Sequence, residues 1–294
     1  MKPPRIFAAL LIILSLTLPA SSAPYYKGLK IIVSPEYVGQ GKSFSVKVYS
    51  IKPLKEARGR VFGKEIAFYK EADHFKGIIG VPVDAKPGKY KLHLLLNQED
   101  GYLREHDKFI YVRGLRFDRV SYWLKPEKKK LLAPEIVEEG WAKIHRELLR
   151  ETPRKLWKGP FRIPAAGPMS MRFGAWQIIN GESRGQHLGV DIAGETYYRV
   201  RACNFGQVVL AEDLQAFGKT VVINHGQGVH SLYFHLSRMD VVKNEIVWKG
   251  KIIGMMGQSG VSTGVHLHWG LSVHDVRVDP MQWVYGGVGN SLTR

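Results

Sequence analysis

The 294-residue sequence contains a single cysteine, Cys203. One cysteine excludes an internal disulfide and every all-thiolate metal site, so a metal could be held only by histidine, aspartate or glutamate. Acidic residues are also scarce, since 26 Asp and Glu stand against 43 Lys and Arg and give a formal net charge of +17. With 45% hydrophobic residues, the composition excludes a disordered or low-complexity chain and predicts about two folded domains.

Long apolar runs are absent beyond the N-terminus. Lys2 and Arg5 precede an apolar run over residues 6–18, and small residues follow it. This order is typical of a secretory signal peptide, whereas a transmembrane helix needs about 20 apolar residues. We therefore predict a signal peptide over residues 1–22, with cleavage within residues 20–23, and a mature protein in the periplasm or outside the cell. No cysteine lies near the cleavage region, so a lipoprotein is not expected, and an uncleaved anchor is the alternative.

Signatures of nucleic-acid binding are missing as well: the sequence has no zinc-finger spacing, no arginine-rich helix and no aromatic RNA-binding motif. For an exported protein, the positive charge instead predicts a weak association with an anionic envelope surface and no nucleic-acid partner. The excess of basic over acidic residues is 12 in residues 24–160 and 3 in residues 161–294. We therefore expect the first of these halves to supply electrostatic attachment to the envelope.

Residues 26–112 contain short segments in which apolar and polar residues alternate. Phe44, Val46 and Val48 alternate with polar neighbours, and turn-forming clusters such as residues 86–89 separate one segment from the next. This pattern is typical of half-buried strands. It predicts a mainly β protein whose N-terminal domain is an immunoglobulin-like β-sandwich.

Residues 113–160 read as a linker that contains one amphipathic helix. Pro134 is placed to begin the helix, and Pro153 lies beyond its end. Apolar residues recur at spacings of four, three and four residues: Val137, Trp141, Ile144 and Leu148. This spacing gives one apolar stripe along the helix.

Seven of the 11 histidines lie between residues 187 and 274. Three segments in this region, residues 187–192, 231–236 and 265–269, share an alternation of apolar and polar residues. Read as strands, they place His187 with Asp191, Tyr233 with His235, and His266 with His268, each pair on a polar face.

Such faces suit a divalent metal, because catalytic zinc takes three protein ligands from histidine and carboxylate and leaves one position for water. Two histidines and one aspartate would complete the ligand set, and the remaining histidines could move protons or stabilise an oxyanion. Each pair alone is weak evidence, but the three together predict a metal site. No HExxH sequence is present, so a helical zinc protease with a glutamate base is not supported.

Residues 161–285 resemble the lysostaphin-type (LytM-like) zinc metallopeptidases, which cut peptide bonds in bacterial cell-wall peptidoglycan. The resemblance is carried, in matching order and spacing, by Phe173-Gly174, His187-x-Gly-x-Asp191, Val222-Ile223-Asn224-His225-Gly226, Tyr233-Phe234-His235-Leu236, Ser262-Thr263-Gly264, His266-Leu267-His268 and Asp279-Pro280. It implies a peptidase domain over residues 161–285, an antiparallel β-sheet with the active site in a groove across it.

The resemblance also implies a role for each residue. His187, Asp191 and His268 match the Zn²⁺ ligands, His266 matches the general base, and His235 matches the second active-site histidine. The implied activity is that of an exported zinc metalloendopeptidase in which metal-activated water attacks the amide carbonyl of peptidoglycan without an acyl-enzyme intermediate.

Two departures from the family pattern affect loop shape and therefore substrate preference. Residues 195–199 replace a turn that often contains two prolines, and Val265 replaces a proline common before the His-x-His motif. Cys203 is expected to be a small buried residue, and His274 a surface residue.

Two other functions remain open. One is a non-enzymatic activator or wall-binding protein, since some LytM-like domains regulate other hydrolases after losing zinc ligands, although no ligand is missing here. The other is a zinc carboxypeptidase that trims the peptidoglycan stem peptide. That class generally uses a Glu-x-x-His segment, where this sequence presents His266-x-His268.

Overall fold

The structure, a computed structural model, describes residues 28–150, 152–286 and 288. Among these described residues the fold is mainly β, with 51% strand and 11% helix, as predicted. The predicted signal peptide, residues 1–22, lies outside the described residues. Within the described part of the chain, no helix combines the length and the hydropathy needed to cross a bilayer.

The N-terminal part is an eight-stranded sheet that curves around its own core. Its strands are Leu29–Ser34 (β1), Tyr37–Gly39 (β2), Ser43–Ser50 (β3), Leu54–Val61 (β4), Lys64–Glu71 (β5), His74–Gly80 (β6), Gly88–Gln98 (β7) and Leu103–Arg113 (β8). Their spatial order is β1-β3-β6-β5-β4-β7-β8-β2. The first part of β5 pairs with β4 and the last part with β6, so the sheet bends into a half-barrel that is consistent with the predicted sandwich.

The alternating residues of β3 face this core as expected. Phe44, Val46 and Val48 are buried, and they meet buried leucines of β7 at Leu92, Leu94 and Leu96. The N-terminal sheet therefore has a hydrophobic core of its own.

The segment between the two large sheets contains strand Arg119–Tyr122 (β9), helix Pro126–Lys129 (α1), a 3₁₀ turn and helix Pro134–Leu148 (α2). The predicted amphipathic helix is confirmed, with Pro134 in its first turn. Its apolar stripe packs on the C-terminal sheet, where Ile144 and Leu148 join a buried cluster with Leu210 and Leu232. Helix α2 is thus a layer on that sheet.

The C-terminal part is built around a second large antiparallel sheet. Its strands and those of two small sheets are Met169–Met171 (β10), Trp176–Ile179 (β11), Glu182–Gln186 (β12), Val190–Ala193 (β13), Arg199–Arg201 (β14), Gly206–Leu214 (β15), Gly218–Gly226 (β16), Val229–Leu236 (β17), Arg238–Met239 (β18), Ile246–Val247 (β19), Ile252–Met255 (β20), His266–Val273 (β21) and Val276–Val278 (β22). The large sheet has the order β10-β13-β21-β17-β16-β15-β19, with β22 paired to β21. Helix Pro280–Tyr285 (α3) follows β22.

Polar contacts hold the two large sheets together. The main chain of Ser43 exchanges hydrogen bonds of 2.7 and 2.8 Å with the Gln282 side chain. Asp275 bonds Lys64 of β5 at 3.0 Å and His145 of α2 at 2.6 Å. One carboxylate therefore connects the N-terminal sheet, helix α2 and the turn between β21 and β22.

Two buried histidines away from the histidine cluster predict acid sensitivity. Burial lowers the pKa of His225 from 6.5 to about 4 and that of His230 to about 3. Between pH 6.5 and these values, both histidines are protonated in the unfolded chain but remain neutral in the folded chain. Stability is therefore fully present above about pH 6.5 and should fall below it by about 1.4 kcal/mol per pH unit for each histidine.

Denaturant unfolding of chelator-treated protein between pH 8 and pH 4.5 measures this fall. An unfolding free energy that stays constant down to pH 5 would contradict the prediction.

Candidate metal centre and active-site pocket

Strand β21 carries two of the predicted site residues in the predicted phase. Leu267 and Trp269 are buried in the core beneath the large sheet, and His266 and His268 point to the opposite face, where they line a pocket. Alternation along a strand accounts for this separation. The predicted alternation is therefore confirmed over residues 266–269, although β21 begins at His266 and Val265 precedes it.

Asp191 reaches the same face from the neighbouring strand β13, where it pairs directly with His268. The prediction of one strand over residues 187–192 is wrong at its start, because β13 begins at Val190. His187 lies in the preceding connection, and its N–H and C=O bond Ala175 and Gly174 at 2.8 Å each. Those bonds to another segment, rather than a shared strand, fix the position of the His187 ring.

His235 lines the same pocket, but the strand pattern does not predict the orientation of its side chain. Tyr233 lies in the core beneath the sheet, while Phe234 lies on the site face and stacks on His268 with ring centres 5.1 Å apart. The prediction that Tyr233 and His235 share a face is therefore wrong. The backbone of His235 adopts a left-handed φ of 63°, which breaks the alternation and places its ring 4.9 Å from that of His266.

The atoms His187 Nε2, Asp191 Oδ1 and His268 Nδ1 form a nearly equilateral triangle. His187 Nε2 lies 2.9 Å from His268 Nδ1, and each nitrogen lies 3.0 Å from the carboxylate oxygen. Zinc binds nitrogen and oxygen at about 2.0–2.2 Å, so three atoms about 3 Å apart can all contact one ion. The donor set of two imidazoles and one carboxylate fits zinc, and these residues could hold it.

Hydrogen bonds and charges favour the ligand forms of these groups. His187 Nδ1 lies 3.1 Å from the carbonyl of Arg172, which can only accept, so Nδ1 donates and Nε2 keeps its lone pair. Burial lowers the pKa of His268 to about 4. Burial alone would raise the pKa of Asp191, but the neighbouring imidazoles of His187 and His268 hold it well below its usual value.

The other two histidines are oriented by main-chain carbonyls. His235 Nδ1 lies 2.8 Å from Ser259 O, and His266 Nδ1 lies 2.9 Å from Gly264 O and 3.2 Å from the Ser262 hydroxyl. Because the carbonyls accept, each Nδ1 donates and each Nε2 is left as an acceptor. His266 Nε2 lies 3.8 Å from Asp191 Oδ2.

These side chains open into a pocket of about 570 Å³. One wall comes from the segment before the C-terminal sheet and includes Tyr122 of β9 and Trp141 of α2. Burial, with a smaller contribution from Asp191, raises the pKa of Tyr122 to about 12. The predicted linker, residues 113–160, thus contributes directly to the pocket. No motif in its sequence indicated this role.

Cys203 was expected to be buried and His274 to lie at the surface, and both lie outside the pocket. Cys203 is fully buried, as expected, and burial raises the pKa of its thiol to about 11. The expectation that His274 lies at the surface is wrong, because only 9% of the residue is exposed. It sits in the turn between β21 and β22, which packs against the N-terminal sheet.

Comparison with known proteins is consistent with this geometry. The model of Peptidase family M23 matches residues 185–280, the stretch that contains all five predicted site residues. These residues form a peptidase family M23 domain.

Two curated relatives match part of this chain. Peptidoglycan DD-endopeptidase ShyA of Vibrio cholerae is 36% identical over 96 residues, which are 33% of this chain and 22% of that protein. Murein hydrolase activator EnvC of Escherichia coli is 31% identical over 121 residues, which are 41% of this chain and 28% of that protein. The chain thus spans less than a third of the length of these curated relatives.

A crystal structure of a peptidase M23 from Pseudomonas aeruginosa matches more than this domain. It is 27% identical, has a TM-score of 0.61 and covers 82% of this chain and 92% of that one. The likeness therefore extends from the M23 domain into the N-terminal sheet.

Gly189 leaves the space that the His268 ring occupies in the candidate metal centre. A Cβ at this position would lie 2.6 Å from His268 Nε2 and 2.7 Å from the carbonyl of Trp269, closer than real Cβ contacts. Gly189→Ala should therefore displace the His268 ring and lower zinc affinity by about 10- to 100-fold, the range seen when the surroundings of a ligand are disturbed.

Zinc titration against a competing chelator measures that affinity. Gly264→Ala is the matched control, because a Cβ there would meet nothing within 4 Å. Equal zinc affinity in the two variants would show that close packing at Gly189 does not position His268.

Proposed function

We propose that the chain is an exported, zinc-dependent endopeptidase that hydrolyses peptide bonds of bacterial cell-wall peptidoglycan. The observation that carries the proposal is the triangle of His187, Asp191 and His268 atoms, with two further imidazoles beside it that each present an acceptor Nε2. ShyA, a relative over 96 residues of this chain, is a peptidoglycan DD-endopeptidase, which supports the substrate class.

In this proposal His187, Asp191 and His268 hold Zn²⁺, which supplies Lewis-acid activation of the substrate carbonyl and of water when it is bound. His266 Nε2 accepts a proton from the attacking water, and His235 Nε2 accepts the hydrogen bond of its other O–H and orients it. The water oxygen bonds to the carbonyl carbon as the amide C–N bond breaks. His266 then returns its proton to the leaving amine.

The proposal includes export of the protein from the cytoplasm. Peptidoglycan lies outside the cytoplasm, and the order of basic, apolar and small residues over 1–22 fits a cleaved signal peptide. The excess of positive charge in residues 24–160 agrees with an anionic envelope surface.

The alternative is a non-enzymatic activator, which similarity to EnvC keeps open. The complete donor set favours the enzyme, because an activator has no need of three ligand atoms within 3.0 Å of one another.

Incubation of purified protein with peptidoglycan separates the two functions. The enzyme should release soluble fragments, stop when a chelator is added and resume when zinc is restored. A protein that binds no zinc and releases nothing, yet stimulates a separate wall hydrolase, would be the activator.

A further inference from the structure

Arg277 is a buried cation in the same pocket as the candidate metal centre. It lies on β22 directly opposite Ser272 of β21, and paired residues on adjacent strands point to the same face. Ser272 has the phase of His266 and His268 along β21, so Arg277 shares the face of the site. Only 9% of the residue is exposed, and it lines the pocket.

The guanidinium occupies space that Gly270 leaves open. A Cβ at position 270 would lie 1.9 Å from Arg277 Nη2 and 3.0 Å from Cζ. Gly270 is two residues from His268 on the same strand face, a distance of about 7 Å. The charged group therefore lies over the strand position next to the His268 ring, within reach of a peptide bound at the metal site.

The hydrogen bonds of Arg277 are incomplete. Nη2 donates to the carbonyl of Leu188 at 2.8 Å, whereas Nε and Nη1 are buried and have no hydrogen-bond partner among the described residues. The ring of Trp141 lies 5.5 Å from Cζ. A guanidinium has five N–H donors, so most of its capacity is unused by the protein.

No carboxylate in the described part of the chain forms an ion pair with Arg277. Asp275 is close in sequence, but its two oxygens bond Lys64 and His145. Burial lowers the pKa of Arg277 to about 10, which leaves it charged at neutral pH. Asp275 still acts on Arg277 from a distance, but a buried charge with no carboxylate in ion-pair contact is unfavourable, and an anion in the pocket would supply that contact.

We propose that Arg277 binds a carboxylate of the peptide substrate. This inference rests on the proposed function and names a chemical group that the substrate presents to the same pocket. Arginine suits this task because its N–H groups are fixed in a plane and match the geometry of carboxylate oxygens. The carboxylate can belong to the C-terminus of a peptide or to an acidic side chain, and both sources give the same contact.

Four acetylated dipeptides distinguish these sources: Ac-Glu-Ala and Ac-Gln-Ala, each with a free and an amidated C-terminus. Isothermal titration of the zinc-loaded protein should show that at least one carboxylate binds about 10- to 100-fold more tightly than its matching amide, since a hydrogen-bonded ionic contact has that effect. The pair that shows the preference identifies the source.

Two variants test the role of Arg277. Arg277→Gln removes the charge, and Gly270→Ala keeps the charge but forces the guanidinium from its place. Both should lose the preference for carboxylate. Arg238→Gln, at an exposed arginine paired with Asp240, should keep it. Thermal unfolding establishes that each variant is folded.

Equal binding of acids and amides by the wild type, no binding of any dipeptide, or a preference that persists in folded Arg277→Gln would overturn the inference. Peptidoglycan cleavage is measured separately. A protein that cleaves peptidoglycan without this preference would refute the role of Arg277 alone, and a protein that binds carboxylates through Arg277 but cleaves nothing would refute the proposed function alone.

Discussion

Replacing His268 with alanine is expected to abolish both zinc binding and peptidoglycan cleavage. His268 Nδ1 is one corner of the ligand triangle, 2.9 Å from His187 Nε2 and 3.0 Å from Asp191 Oδ1. Its loss leaves two ligands, too few to hold a catalytic zinc ion. Because disturbing an outer partner of a ligand already costs about 10- to 100-fold, loss of the ligand itself should lower zinc affinity and activity by more than about 100-fold.

Metal analysis of the purified variant and release of soluble fragments from peptidoglycan measure the two effects. His93→Ala is the control, since His93 lies on the N-terminal sheet, where its Nδ1 bonds Asp107 at 2.7 Å. It should keep one zinc ion and full activity. An H268A protein that still binds zinc at wild-type affinity would refute the assignment of His268 as a ligand.

Replacing His266 with alanine should have a different result, in which zinc is retained and turnover is lost. The His266 ring lies outside the triangle, and its Nδ1 is held by Gly264 O at 2.9 Å, so its Nε2 is available to take a proton. Removal of a positioned general base lowers rates by about 10²- to 10⁴-fold. We expect that fall in kcat with zinc content unchanged.

Ser262→Ala is the matched control for this variant. The Ser262 hydroxyl lies 3.2 Å from His266 Nδ1, but the carbonyl of Gly264 still orients the ring without it. We expect S262A to lose less than about 10-fold, since one neutral hydrogen bond contributes about 1 kcal/mol. If H266A loses its zinc as H268A does, then His266 is a ligand and the division of roles is wrong.

The shared face of His266 and His268 could be predicted from the sequence because it depends on local alternation. His266 and His268 are separated from buried Leu267 and Trp269 by the two-residue period of a strand, and that period does not depend on distant contacts. The amphipathic helix was readable for the same reason, since the spacing from Val137 to Leu148 alone defines its apolar face.

The remaining features depend on contacts between segments far apart in sequence. The left-handed φ of His235 places its ring in the pocket, and no residue type at that position signals it. His187 is set by main-chain bonds to residues 174 and 175. Arg277 carried no motif, and the signal that could have found it, a glycine at position 270, has meaning only when β21 and β22 are paired.

The expected electrostatic attachment of residues 24–160 stays a prediction. Residues before 161 also belong to the pocket and its support, because Tyr122 and Trp141 line the pocket and α2 packs on the C-terminal sheet. A fragment of residues 161–294 would lack both, so attachment and catalysis are better compared in the whole chain at different salt concentrations.

Mass spectrometry of cross-linked peptidoglycan peptides, digested by the zinc-loaded protein and by the same protein after chelation, tests the central claim most directly. We expect cross-linked peptides to be cut within the chain into two peptide fragments, chelation to stop the cut, and H268A to give no fragments in either condition. Loss of single terminal amino acids with cross-links intact would show a carboxypeptidase, and fragments that persist after chelation and in H268A would contradict a zinc-dependent endopeptidase.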